Sequence, residues 1–143
     1  IVPVNHPLAQ VESVKLSDLM QYRFLLRENG SATRMLFESE LQSRGLVLSD
    51  SVQMASNEAI RVAVSSGMGI AVLSRHVLAK DDASFKVLTV TDTHLASHWY
   101  FVMRTDRHIS HAARNFLKFA QQHLEQYLDS QWVRNELDNL QLN

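Results

Sequence analysis

Short apolar runs alternate with helical patterns along the first half of the chain. The runs YRFLLR, SVQMA and GIAVL have the length of strands, and the segments between them carry apolar residues at the spacing of one helix face. The predicted helix faces comprise Phe37 and Leu41 in the first helix, and Ile60, Ala63 and Val64 in the second. Strand, helix and strand at such short spacing predict an α/β fold with a parallel sheet.

The second half of the chain is predicted to add two strands and a long helix. FKVLTV and HWYFVMR have the composition of strands, and Trp99 and Tyr100 in the second of them are expected to pack in the sheet core. An amphipathic helix is predicted from Ser110, with Phe116 and Leu117 on its apolar side. The tail DSQWVRNELDNLQLN could extend that helix.

Small hydroxyl and amide residues precede both helices of the first half. Gly30, Ser31 and Thr33 open the first helix, and Ser56 and Asn57 open the second. In a parallel α/β unit the helix starts that follow neighbouring strands lie at one edge of the sheet, where unpaired amides attract anions. Two converging starts would suit a carboxylate, sulfate or phosphate, whereas either start alone is typical of an ordinary helix cap.

Composition narrows the classes of protein that remain. The chain has 143 residues and no cysteine, and the lack of cysteine excludes a disulfide framework. The formal net charge of -1 gives no positive field that would attract nucleic acid. No apolar run approaches the roughly 20 residues of a membrane helix. The chain begins with Ile1 in a strand-like run, so we expect a fragment of a longer protein.

The sequence gives only weak signals for a metal site, a dinucleotide-binding site or a catalytic triad. Seven histidines offer no acidic partner at metal-ligand spacing, so no metal or cofactor is predicted. The Gly-x-Gly of SSGMGIA lacks the third glycine of a dinucleotide motif. A triad of Ser31, His76 and Asp81 would lack a nucleophile elbow, so an enzyme is not expected.

Several segments, in order and at matching separations, resemble the effector-binding domain of LysR-type bacterial transcription regulators. These segments are HPLA, LRENGSATRMLFESELQSRGL, MASNEAIRVAVSSGMGIAVLSRHVL, HWYFVMR and SHAARNFLKF. The forms RENGSATR and SNEAI look most like the branch that regulates carbon-fixation operons. The resemblance runs from about Ile1 to Gln126.

The resemblance implies a two-lobed α/β fold of the periplasmic-binding-protein type (type II). Residues 1–10 would end the first lobe and cross over, and residues 11–92 would form the second lobe. Residues 93–143 would contain the return crossover strand and the C-terminal helix of the first lobe. The chain would therefore be mainly the second lobe.

The resemblance also implies a function and partners. The chain would be the module of a cytoplasmic regulator that senses a small anionic metabolite. The sensing domains would pair as dimers within a homotetramer. Promoter DNA would be bound only through an N-terminal helix-turn-helix that this chain lacks, and no membrane contact is implied. A lobe of a transporter's solute-binding protein shares the fold and is the alternative.

The same resemblance carries over a set of effector-binding positions. They are Glu28, Gly30, Ser31, Thr33, Ser56, Asn57 and Phe101. Pro3 stands where some relatives have a threonine ligand, so that contact would be lost. For Arg34, a ligand role and a structural ion pair remain equal alternatives.

Overall fold

The computed structural model describes residues 1–78, 82–104, 106 and 108–127. It divides into two compact units, Ile1–His98 and Trp99–Asn143, which are described separately. The possible helical extension in the tail lies outside the described residues.

A three-stranded parallel sheet forms the centre of the first unit. Its strands are β2 (Arg23–Arg27), β3 (Asp50–Met54) and β4 (Ile70–Ala71), arranged in the order β3-β2-β4. Helix α2 (Ala32–Ser43) joins β2 to β3, and helix α3 (Asn57–Ser65) joins β3 to β4. The predicted parallel α/β arrangement is confirmed.

The two helices cover opposite faces of this sheet. Phe24 of β2 packs in a core cluster with Phe37 of α2, with ring centroids 5.1 Å apart. The next residue, Leu25, points to the other face and packs in a second cluster with Ile60 of α3. Because successive strand side chains point to opposite faces, an apolar run buried on both sides is what a central parallel strand requires.

Helix α2 ends at a glycine with a left-handed backbone conformation. Gly45 has a φ of 64°, and the amides of Gly45 and Leu46 donate to the carbonyls of Gln42 and Leu41. This is the left-handed termination that glycine favours, and it satisfies carbonyls that the helix leaves unpaired.

Short elements complete the first unit around the sheet. They are β1 (Val2–Pro3), a 3₁₀ helix (Pro7–Gln10), α1 (Leu16–Leu19), a second 3₁₀ helix (Arg75–Val77) and β5 (Phe85–Lys86). Strand β1 pairs with β5 in antiparallel fashion. The predicted strand FKVLTV is shorter than expected, because only Phe85 and Lys86 join this ladder, while Val90 makes an isolated bridge to Val14.

Asp92, which follows β5, links this part of the chain to α1 and α2 through a hydrogen bond and an ion pair. Its Oδ1 accepts from the Leu16 amide at 2.9 Å, and its Oδ2 lies 3.1 Å from a guanidinium nitrogen of Arg44. The hydrogen bond from Leu16 is the main reason that the pKa of Asp92 is lowered. A carboxylate at the start of α1 also satisfies an amide that the helix cannot pair.

The second unit contains helix α4 (His111–Tyr127), as predicted. The Ser110 hydroxyl accepts from the Ala113 amide at 3.2 Å, and Leu117 and Ala120 are buried. Phe116, expected on the apolar side, is 56% exposed.

The predicted strand HWYFVMR is wrong for the described residues, none of which forms a ladder with this segment. Trp99 is 84% exposed and Tyr100 79% exposed, so their expected place in a sheet core is wrong as well. A strand forms only where a neighbouring strand takes up its amides and carbonyls.

Candidate functional site

Helices α2 and α3 begin at the same edge of the sheet. Strands β2 and β3 are adjacent and parallel, and Arg27 at the end of β2 stands opposite Met54 at the end of β3. Each strand leads within a few residues into its helix. The two helix starts that the sequence predicted to lie together therefore flank the carboxyl ends of neighbouring strands.

The chain leaves this edge in opposite directions. From β2 it turns toward the face that α2 covers, and from β3 it turns toward the face that α3 covers. The strand order changes direction here, since β3 and β4 lie on opposite sides of β2. Loops that diverge from neighbouring parallel strands open a crevice, which is the usual ligand site of such sheets.

The loop before α2 is exposed at Asn29 and Gly30 and is followed by hydrogen-bond donors in the first turn of the helix. Gly30 has a φ of 87°, and a Cβ there would have no heavy atom within 4 Å beyond those of Gly30 and its two chain neighbours. Ser31 occupies the N-cap position, but its hydroxyl makes no capping bond with the described first turn. The amides of Ala32, Thr33 and Arg34 have no acceptor within the helix. These groups are available to an acceptor outside the helix.

The start of α3 is capped in the ordinary way. The Ser56 hydroxyl accepts from the Ala59 amide at 3.0 Å. Ser56 still has its hydroxyl proton to donate, because a serine hydroxyl both accepts and donates. Sequence reasoning treated Ser31 and Ser56 as equivalent, whereas only the second makes a capping bond.

The Arg27 guanidinium, which the sequence did not single out, links the loop before α2 to the start of α3. Arg27 donates from Nη1 to Oδ1 of Asn57 at 2.7 Å. It also donates from Nε and Nη2 to the two carboxylate oxygens of Glu28, each at 2.8 Å. Glu28 and Asn57, both predicted as site residues, therefore meet on one side chain. The available signal was a cation at a strand end immediately before the glycine-bearing loop.

Arg34 has a structural role within the described contacts. Its Nη1 donates to the Arg27 carbonyl and to Oε1 of Gln53, both at 2.9 Å, and its Nε pairs with Glu38 at 2.7 Å. These partners lie on β2, β3 and α2. Arg34 thus ties the first turn of α2 to the ends of both strands, which favours the structural alternative.

Opposite charges nearly balance at this edge. The hydrogen bond with Arg27 is the main cause that lowers the pKa of Glu28, and the same bond raises the pKa of Arg27. Both groups are therefore charged at neutral pH. Glu58 in the first turn of α3 is exposed and also acts through space on Arg27. Recognition of an anion here must rely on directed amides and on the guanidinium, because the net charge is not positive.

Phe101 belongs to the second unit. Its ring packs edge-on against Phe116, with centroids 5.7 Å apart. Both residues line a concavity of about 280 Å³ that also includes Ile109 and Leu117. The predicted role of Phe101 beside the effector stays a prediction.

Other chemistries have little support in the described chain. Within it, no three His, Cys, Asp or Glu side chains cluster as metal ligands. Of the candidate triad Ser31, His76 and Asp81, the aspartate lies outside the described residues. No helix among the described residues combines the length and apolar character needed to cross a bilayer.

Comparison with known proteins gives a consistent result. Residues 1–125 match the model of the LysR substrate binding domain. The chain is 34% identical over 121 residues to a RuBisCO operon transcriptional regulator of Allochromatium vinosum, covering 83% of this chain and 40% of that protein. It is also 34% identical over 123 residues to the HTH-type transcriptional activator CmpR of Synechocystis sp., covering 85% and 40%. The chain thus spans less than half the length of these relatives.

A solved structure agrees with these sequence matches. The regulatory domain of CcmR from Synechocystis PCC6803, in complex with 2-PG, superposes with a TM-score of 0.70 at 28% identity. The superposition covers 82% of this chain and 58% of that one. The predicted fold class, α/β of the periplasmic-binding-protein type, is confirmed.

Proposed function

The chain belongs to the LysR substrate-binding domain family, and on this premise we propose that it is the effector-sensing part of a DNA-binding transcription regulator. The relatives named above are regulators, which supports a regulatory role over a catalytic one. They also give no support to the alternative, a solute-binding protein of a transporter. The net charge of -1 supports the proposal that DNA binding belongs to another part of the protein.

The proposed effector is a small anion bound in the crevice at the carboxyl ends of β2 and β3. One observation carries this proposal: two helices start from adjacent parallel strands and diverge to opposite faces of the sheet. The free first-turn amides of α2 and the uncommitted Ser31 hydroxyl would donate to the anion. The related CcmR domain was solved with 2-PG, which supports a small acid as the effector class.

The other predicted residues have definite roles in this proposal. Gly30 would let the backbone approach the anion, and Thr33 would contribute its first-turn amide and hydroxyl. Ser56 would donate its hydroxyl proton from the opposite start, and Asn57 would hold Arg27 in position.

The proposed mechanism is a shift between arrangements of the sensing domains. The regulator would be a cytoplasmic homotetramer with paired sensing domains, and its DNA-binding parts would be held apart at a spacing that depends on the effector. An effector switches such an assembly only if it binds one arrangement more tightly than the other. A coupling free energy of about 1–3 kcal/mol would be typical.

A pair of glycine variants tests the proposed site. Gly30 and Gly45 lie at opposite ends of the α2 region, both with positive φ and open space around them. Alanine at either position imposes similar backbone strain, of roughly 1–2 kcal/mol. We expect Gly30→Ala to weaken binding of 2-PG by the full-length protein in calorimetry, and Gly45→Ala to leave it unchanged. Equal affinities for the two variants would contradict the site.

A further inference from the structure

The Arg27 guanidinium binds the Glu28 carboxylate with the geometry by which an arginine binds a carboxylate ligand. Its Nε and Nη2 donate side by side to Oε2 and Oε1 of Glu28, both at 2.8 Å. This two-point geometry is the one by which arginine binds carboxylates and phosphates. Nη1 donates to Oδ1 of Asn57 at 2.7 Å, which holds the group beside the start of α3.

We propose that Glu28 is a built-in competitor of the effector, occupying the Arg27 fork until an anionic ligand displaces it. The inference rests on the proposed function and deepens it. It assigns Arg27 as an effector-binding residue and restricts effectors to acids that offer two oxygens to one guanidinium. The affinity of the site is then set by an exchange between an internal and an external anion.

The exposure of Glu28 makes this exchange feasible. The side chain of Glu28 is 43% exposed, so its carboxylate regains water when it leaves, whereas Arg27 is 22% exposed and stays behind. Ion pairs of such exposure are weak. Only molecules in which Arg27 is not paired with Glu28 can bind the effector through this guanidinium. The weak ion pair therefore lowers the apparent affinity for an effector only a few-fold.

Arg34, the neighbouring cation, is poorly suited to the same role. Its hydrogen-bond partners come from three elements, namely the Arg27 carbonyl, Gln53 and Glu38. An incoming anion would have to break contacts that hold α2 to the sheet. Two of the three Arg27 bonds instead go to one exposed side chain on the adjacent residue. Arg27 is therefore the cation whose partner can be exchanged.

The test compares two isosteric charge removals at the same edge. Calorimetry with the full-length protein would measure binding of 2-PG, and of inorganic phosphate, to the wild type, Glu28→Gln and Glu58→Gln. Glu58 acts on Arg27 only through space, so its variant controls for the general loss of one negative charge. We expect Glu28→Gln to bind about 2- to 5-fold tighter than the wild type, and Glu58→Gln to gain clearly less.

A third variant separates the fork from its charge. Arg27→Lys keeps the cation but cannot bind two oxygens side by side, so we expect about tenfold weaker binding. The double variant Arg27→Lys with Glu28→Gln should then bind with nearly the same affinity as Arg27→Lys alone. Thermal melts of each variant would verify folding.

The outcomes distinguish this inference from the proposed function. If the wild type binds 2-PG but Glu28→Gln binds it no tighter, or more weakly, the competitor role is wrong and the proposed function stands. Absence of binding by both the wild type and Glu28→Gln overturns the proposed function and the inference together.

Discussion

The two serines at the helix starts should respond differently to the same substitution. The Ser56 hydroxyl accepts from the Ala59 amide at 3.0 Å, whereas the Ser31 hydroxyl makes no capping bond in the described structure. Ser56→Ala removes the partner of an amide that the helix cannot satisfy, at a cost of about 1 kcal/mol. Ser31→Ala removes no such bond, and we expect a change below about 0.5 kcal/mol.

Urea unfolding followed by circular dichroism would measure the difference. With a slope of about 1.5–2 kcal/mol per molar urea, Ser56→Ala should lower the midpoint by roughly 0.5 M. Ser31→Ala should leave the midpoint nearly unchanged. Both variants should weaken effector binding, by about fivefold for the loss of one hydrogen bond. Equal midpoint shifts would refute the assignment of the caps, and unchanged affinity of Ser31→Ala would refute its role as a donor.

Three further changes test the packing and the pH response of the first unit. Phe37→Ala should destabilise the unit by about 3–5 kcal/mol in urea unfolding, since this side chain is only 1% exposed; a change below about 1 kcal/mol would show that α2 is not part of the core. A Cβ at Gly69 would lie 2.7 Å from the Arg23 carbonyl oxygen, so Gly69→Ala should lower the unfolding free energy by about 1–3 kcal/mol, and an unchanged midpoint would contradict the close approach. The pKa of Asp92 is lowered in the folded state, chiefly by the hydrogen bond from the Leu16 amide, so its contribution is present above the unfolded pKa and is lost as the pH falls through the folded pKa. The stability gap between the wild type and Asp92→Asn should therefore shrink between pH 7 and pH 3, and a gap that grows would reverse the sign of this reasoning.

The periodic pattern predicted the sheet and its helices well. Phe37 and Leu41, and Ile60, Ala63 and Val64, are buried as their spacing predicts. Such positions are readable because burial on a helix face repeats at a fixed interval in the sequence. The helix starts were also predictable, since glycine, serine and asparagine directly before an apolar helical pattern are typical of a helix N-terminus.

The remaining features depend on contacts that are distant in sequence. HWYFVMR has the composition of a strand, but pairing needs a neighbour, and the pattern contains no information about whether one is available. Arg27 reads as the polar end of the strand YRFLLR. Its role follows from Asn57, thirty residues later, and from the direction its side chain takes at the edge. The different states of Ser31 and Ser56 depend on local backbone geometry that identical residue types do not reveal.

The anion site at the carboxyl edge of β2 and β3 is tested most directly by a nuclear magnetic resonance titration. Amide signals of the ¹⁵N-labelled protein would be followed as 2-PG is added. The largest shifts should fall on Ala32, Thr33 and Arg34 at the start of α2, and on Asn57 and Glu58 at the start of α3. The proposed site would be contradicted if the amide signals of both helix starts did not change while signals of other segments did.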